Sequence, residues 1–138
     1  MATTKSVSKP QAGYGGGGLS VVYTLGSVDV GSAEADLIEK QSGMACKRLG
    51  ITIKNGSDTD ITAKFFSTDE ADPSGTHAQA EWDQEPDSST SYTVGSASLT
   101  TDRKKVILTG PIRWWKVRGN HTTVTSTGSV TIIANYQW

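Results

Sequence analysis

Hydrophobic and polar residues alternate in short runs along this chain, and the runs are separated by turn residues. The clearest run closes the sequence. From Ser129 to Trp138, Val130, Ile132, Ala134, Tyr136 and Trp138 fall on one face and Thr131, Asn135 and Gln137 on the other. A period of two is the mark of a half-buried strand. Leu19–Leu25 predicts a first strand, which Val28–Val30 extends past Gly26. Ile51 and Ile53 alternate with Thr52 and Lys54; the turn Asn55-Gly56-Ser57-Asp58 follows, and Ile61, Ala63 and Phe65 share a face after it. Asn-Gly between two apolar runs is a hairpin signal, so these two runs are expected to pair. Lys105–Thr109 and Ile112–Arg118 flank a Gly110-Pro111 turn, with Tyr92–Val94 and Ala97–Leu99 as weaker strands. Ser32 is placed to cap a short helix over 33–40, with acids early and Lys40 late; a strand or loop suits the same residues almost as well.

Many short strands punctuated in this way predict an all-β fold, an antiparallel β-sandwich of jelly-roll or immunoglobulin-like kind. Residues 1–18 do not fit that pattern. They are polar and end in Gly13-Tyr14-Gly15-Gly16-Gly17-Gly18, and glycine loses the most backbone entropy on ordering. An extended N-terminal arm (1–18) and a sandwich domain (19–138) are therefore expected. A segment this polar buries no core of its own, so its ordering is expected from a neighbouring subunit.

The segment 67–90 is irregular. It holds Asp69, Glu70, Asp72, Glu81, Asp83, Glu85 and Asp87 with no Lys or Arg, and Pro73 and Pro86 bar a continuous central strand. Ala78–Trp82 is a candidate edge strand. The carboxylates are of the type that binds calcium, but their spacing is not that of an EF-hand loop, and the stretch reads as solvated. No metal and no cofactor is expected. Arg103, Lys104, Lys105, Arg113, Lys116 and Arg118 concentrate positive charge later in the chain. If acid and base lie on different edges, related subunits attract head to tail. A net charge of −1 argues against a nucleic-acid or membrane partner.

Catalytic motifs are not visible. His77 and His121 stand far apart in loop-like contexts, and no nucleophile elbow, metalloprotease, phosphate-loop or dinucleotide signature occurs; no catalytic residues are nominated and the chain is read as non-enzymatic. Cys46 is the only cysteine, which excludes an internal disulfide and reads as a small buried apolar residue. Met1–Pro10 contains Lys5 and Lys9 without a following apolar run, so no signal peptide is expected and synthesis is expected in the cytoplasm. Asn55-Gly56-Ser57 and Asn120-His121-Thr122 match the glycosylation sequon and read as turns. Trp114 and Trp115, as neighbours on a strand, must face opposite sides. One belongs to the core and the other is exposed or covered by a partner. With Trp82, Arg113, Arg118 and the arm residues Tyr14, Gly15 and Gly16, Trp114 forms the expected partner-binding set.

From Leu49 to Trp138 the chain resembles small virion proteins of tailed bacteriophages. The resemblance rests on Ile51-Thr-Ile-Lys-Asn-Gly-Ser-Asp-Thr-Asp-Ile61, on Gly110-Pro-Ile-Arg-Trp-Trp-Lys-Val-Arg118 and on Gly128-Ser-Val-Thr-Ile-Ile133. It implies a β-sandwich that builds or decorates a capsid, neck or tail. The partners it implies are other virion proteins, a major capsid protein or tail and neck proteins, in a multi-copy or homo-oligomeric assembly, with the virion as the location. Two other roles fit the same pattern: a carbohydrate-binding or adhesin-like module using Trp82 and Trp114 as a stacking platform, and a tail or neck component.

Overall fold

Nine strands, each antiparallel to its neighbours, make up the computed structural model, which describes residues 3–7, 18–26, 30–74, 76–87, 90–95, 102–122 and 128–138. They are β1 (Thr3–Val7), β2 (Gly18–Gly26), β3 (Ala35–Asp36), β4 (Gln41–Asn55), β5 (Ile61–Thr68), β6 (Asp83–Glu85), β7 (Tyr92–Val94), β8 (Asp102–His121) and β9 (Ser129–Gln137). Hydrogen bonding links them in the order β1-β2-β9-β4-β8-β5-β6, with β3 also on β8 and β7 also on β5.

This continuous ladder is folded over on itself. A straight strand the length of β8 would reach about 66 Å. Yet Asn55 pairs with Asp102 at one end of β8, while Ser57, two residues further on, lies 3.1 Å from the His121 ring at the other. The strand must double back, and it does so at Gly110-Pro111. β4 bends with it: register slips between Ser42 and Cys46 and again before Arg48. The bends allow no side chain on the glycines. A Cβ on Gly43 would lie 2.3 Å from the Ile112 carbonyl oxygen, and one on Gly110 2.3 Å from that of Cys46.

Two layers result. Layer 1 contains β1, β2, β9, the Arg48–Asn55 half of β4 and the Asp102–Thr109 half of β8. Layer 2 contains the Gln41–Cys46 half of β4, the Ile112–His121 half of β8, and β3, β5, β6 and β7. Their inward faces share one core. At its centre Trp115 of layer 2 meets Tyr23 and Tyr136 of layer 1 edge-on, at 6.1 and 6.4 Å, and its Nε1–H donates to the Tyr136 hydroxyl at 2.9 Å. The fold is the expected antiparallel β-sandwich. Cys46 is fully buried in it, and burial raises its thiol pKa above the ordinary value.

Several local expectations change. The runs 51–54 and 61–66 do not pair; β8 stands between them, because the Asn55–Ser57 turn carries the chain from one layer to the other. Residues 33–40 form no helix. Leu37 and Ile38 are both buried, Leu37 N–H donates to the Val117 carbonyl, and β3 lies along β8. Gln79–Glu81 is a short 3-10 helix in place of an edge strand. Of the arm expected over 1–18, Thr3–Val7 pairs with Leu25–Val21 as an edge strand and Gly18 begins β2. Tyr14, Gly15, Gly16 and the candidate strand 97–99 lie outside the described residues, as does most of the extension proposed over 28–30. No helix among the described residues is long and apolar enough to cross a membrane.

Candidate functional site

The corner where β4 and β8 bend together opens into a cleft. Met44 and Ala45 follow Gly43 with φ of 51° and 54°, a left-handed pair that costs side-chain-bearing residues of order 1–3 kcal/mol each. Bulges of this kind re-aim side chains. Here Met44 is turned outward and is 44% exposed. Its amide N–H donates to the Ser42 hydroxyl at 3.1 Å, and its carbonyl accepts the Trp138 Nε1–H at 3.0 Å. Trp138, also largely exposed, stacks on Tyr136 with 14° between the planes.

The cleft has a volume of about 540 Å³. Met44, Ala45, Pro111 and Trp114 supply its apolar wall, and Asp69 and Arg113 its charges. Trp114 is half-buried; its Nε1–H reaches the Ala71 carbonyl at 3.3 Å, and the Lys40 ammonium stands 5.1 Å from its ring centroid. Two further grooves, about 440 and 500 Å³, continue from it and share Asp69. Between them the two grooves are lined by Asp69, Glu70, Glu81, Asp83 and Glu85, with Arg113 the one cation among the described lining residues. Hydrogen bonds from the Ser74 hydroxyl and amide hold the Glu81 carboxyl below its ordinary pKa. No set of three or more metal-ligating side chains converges among the described residues.

The partner-binding set expected from the sequence divides. Arg113 and Trp114 stand in the cleft. Trp82 is turned inward instead: residues 69–74 and 76–82 lie over the outer face of layer 2, burying Trp82 and Phe66, with the His77 ring 5.0 Å from Phe66. Burial, then Lys116 and Arg118, lower the His77 pKa. Lys116, about 1% exposed, lies under the same cover, 4.5 Å from the Trp82 ring centroid and 3.3 Å from Asp36. Burial lowers its pKa and Asp36 opposes that shift. Arg118 is engaged within the chain, 2.6 Å from Asp36 and 3.4 Å from Glu34, and Glu34 also pairs with Lys64 at 2.8 Å. The exposed Met44 was not nominated from sequence; it sits in a stretch without periodicity, and only the register slip reveals its direction.

A Ser–His contact also escaped the sequence reading. His121 Nδ1–H donates to the Val30 carbonyl at 2.8 Å, leaving Nε2 to meet the Ser57 hydroxyl at 3.1 Å, and Asn55 Oδ1 accepts the Ser57 amide at 3.0 Å. All three side chains are completely buried, and Asn55 Nδ2–H reaches the Val94 carbonyl at 3.0 Å. The network fastens the interlayer turn to the end of β8.

No family model and no curated protein matches this chain. Among solved structures it is similar to the SPBc2 prophage-derived protein YomS (13% identity, TM-score 0.45, 99% of this chain and 95% of that one). It is similar also to a Bacillus endospore appendage from a family of disulfide-linked pili (10%, 0.44, 99% and 91%). A third is the K1 adhesin domain of Lys-gingipain from Porphyromonas gingivalis W83 (10%, 0.42, 100% and 99%). Likenesses this distant assign no function.

Proposed function

We propose that this chain is a non-enzymatic structural protein of a bacteriophage virion, a capsid decoration or minor virion protein, which docks on neighbouring virion subunits through the β4–β8 corner. The observation that carries the reading is the display of Met44 by a strained left-handed bulge beside Trp114 and Arg113. Strain retained at a surface is motivated when the displayed side chain has work to do. Trp and Arg are the side chains that most often anchor protein contacts, and here they edge an open apolar cleft. The resemblance of 49–138 to small virion proteins supports the same reading.

The test is incorporation. Particles carrying the chain are purified and its copy number is measured by quantitative mass spectrometry. Trp114→Ala and Arg113→Glu, confirmed as folded by near-UV circular dichroism, are expected to weaken attachment by tenfold or more, the loss typical of a contact anchor. Full occupancy with both variants would refute the docking role. A second reading has one observation in its favour: Trp114 borders a cleft with polar groups, as sugar-stacking residues do. The burial of Trp82 removes its expected coplanar mate. Glycan-array binding lost in Trp114→Ala would replace the virion reading with a carbohydrate-binding one.

A further inference from the structure

Strand register places four cations on the outward face of layer 1. Lys54 stands directly opposite Arg103, Lys105 opposite Thr52, and Arg48 opposite Thr109. Along the same pairings the remaining outward positions include Ser20, Val22 and Thr24 on β2 and Thr131, Ile133 and Asn135 on β9. No carboxylate occurs among them, and among the described residues no ion pair engages Arg48, Lys54, Arg103 or Lys105. Ile107, 43% exposed, lies between the cations opposite Gly50. Lys105 leans over that glycine, with its Cε 3.3 Å from where a Cβ would stand.

Like charges directly opposite one another weaken a sheet. Basic residues on an edge strand guard against stray pairing, which accounts for Arg103 and Lys105. It does not account for Lys54 and Arg48, because β4 is paired on both sides there. An anionic partner would relieve the repulsion, and the chain carries one at its corner, where Asp69, Glu70 and Asp83 are exposed. Lys54 and Arg103, at the far end of the face, cannot reach that corner within one molecule, whereas Arg48, opposite Thr109, stands beside the bend. Seven residues of β8 separate Arg103 from the bend at Gly110, about 23 Å of strand, well beyond the screening length of about 8 Å in physiological salt.

We infer that the cationic outer face of layer 1 in one copy docks the acidic corner of a second copy, head to tail. The two surfaces differ, so the contact is heterologous and repeats from copy to copy. It rests on the proposed docking role of the corner and names the partner. Duplex DNA is the competing ligand for a cationic face. Ile107, Ile133 and Val22 among the cations suit a protein surface and offer phosphates nothing.

Sedimentation velocity of the whole chain tests this. Self-association is expected at low ionic strength, weakening about tenfold or more in high salt as exposed charges are screened. A face variant (Lys54→Thr, Arg103→Thr, Lys105→Thr) and a corner variant (Asp69→Asn, Glu70→Gln, Asp83→Asn) should each be monomeric. Mixed, they should form a one-to-one dimer that grows no further, because each retains one of the two surfaces. A wild-type chain that stays monomeric at near-millimolar concentration in low salt, or a mixture that does not dimerise, overturns the inference. So does binding of duplex DNA, lost in the face variant, in place of self-association. If the wild-type chain is monomeric while Trp114→Ala still prevents incorporation into particles, the head-to-tail contact fails and the docking role stands. If Trp114→Ala and Arg113→Glu incorporate fully, the docking role fails instead.

Discussion

The two outer faces of the sandwich treat the same residue types in opposite ways, and one strand shows both treatments. On the second half of β8, Lys116 lies under Trp82 and pairs with Asp36, and Arg118 pairs with Asp36 and Glu34. On the first half, Arg103 and Lys105 lie on a face with no carboxylate among the described residues. Intrinsic preference cannot account for the difference, since both halves are basic extended chain. What differs is what the chain folds over each half. Layer 2 gains a small second core, and its charges serve stability. Layer 1 keeps Lys54 and Arg48 without an ion pair among the described residues, and these are the charges that the proposed head-to-tail contact would engage.

The sharpest way to break the comparison is to remove the cover. Trp82→Ala should destabilise the fold by about 4 kcal/mol, the usual loss for a buried tryptophan, whereas Ile107→Ala, at an exposed position on the layer 1 face, should stay within about 0.5 kcal/mol. Equal effects in urea unfolding would erase the distinction. Next comes Asp36→Ala, which leaves Lys116 buried without its carboxylate and should cost about 3 kcal/mol. Glu34 gives a smaller and pH-dependent effect. The hydrogen bond from Lys64 is the main cause of its lowered pKa, with burial opposing it. A carboxyl lowered on folding stabilises above its unfolded value of about 4.3 and loses that contribution as pH falls through the folded value. Glu34→Gln should therefore reduce stability at neutral pH by less than about 1 kcal/mol, the pair being partly exposed, and the gap from wild type should close in acid. The smallest effect has the opposite sign. Lys54→Thr, removing one of two like charges across the β4–β8 ladder, should stabilise by about 0.5 kcal/mol in low salt and lose that gain in high salt.

The sequence shows part of this plainly. Alternation from Val130 to Tyr136 predicts β9 and its buried face, because a strand buried on one side writes its period directly into the chain. The adjacent Trp114 and Trp115 must diverge, and they do, one to the cleft and one to the core. The pairing of 51–54 with 61–66 was misread for a physical reason. Asn-Gly chemistry says that the chain turns, but it does not say in which layer the returning strand lies. The acidity of 69–87 likewise conceals its partial role as a cover, because Phe66, His77 and Trp82 meet only after β5 and β8 are side by side. The register slip that displays Met44 depends on contacts between residues more than sixty positions apart, and no local pattern encodes it.

Met44 offers the most direct test of the docking role. Its side chain is exposed in the isolated chain, so brief treatment with hydrogen peroxide should oxidise it readily there, as peptide mass spectrometry would record. In particles carrying the chain, Met44 should be protected by about tenfold or more, in keeping with burial under a docked neighbour. Oxidation of Met44 at the same rate in particles and in the free chain would contradict the account.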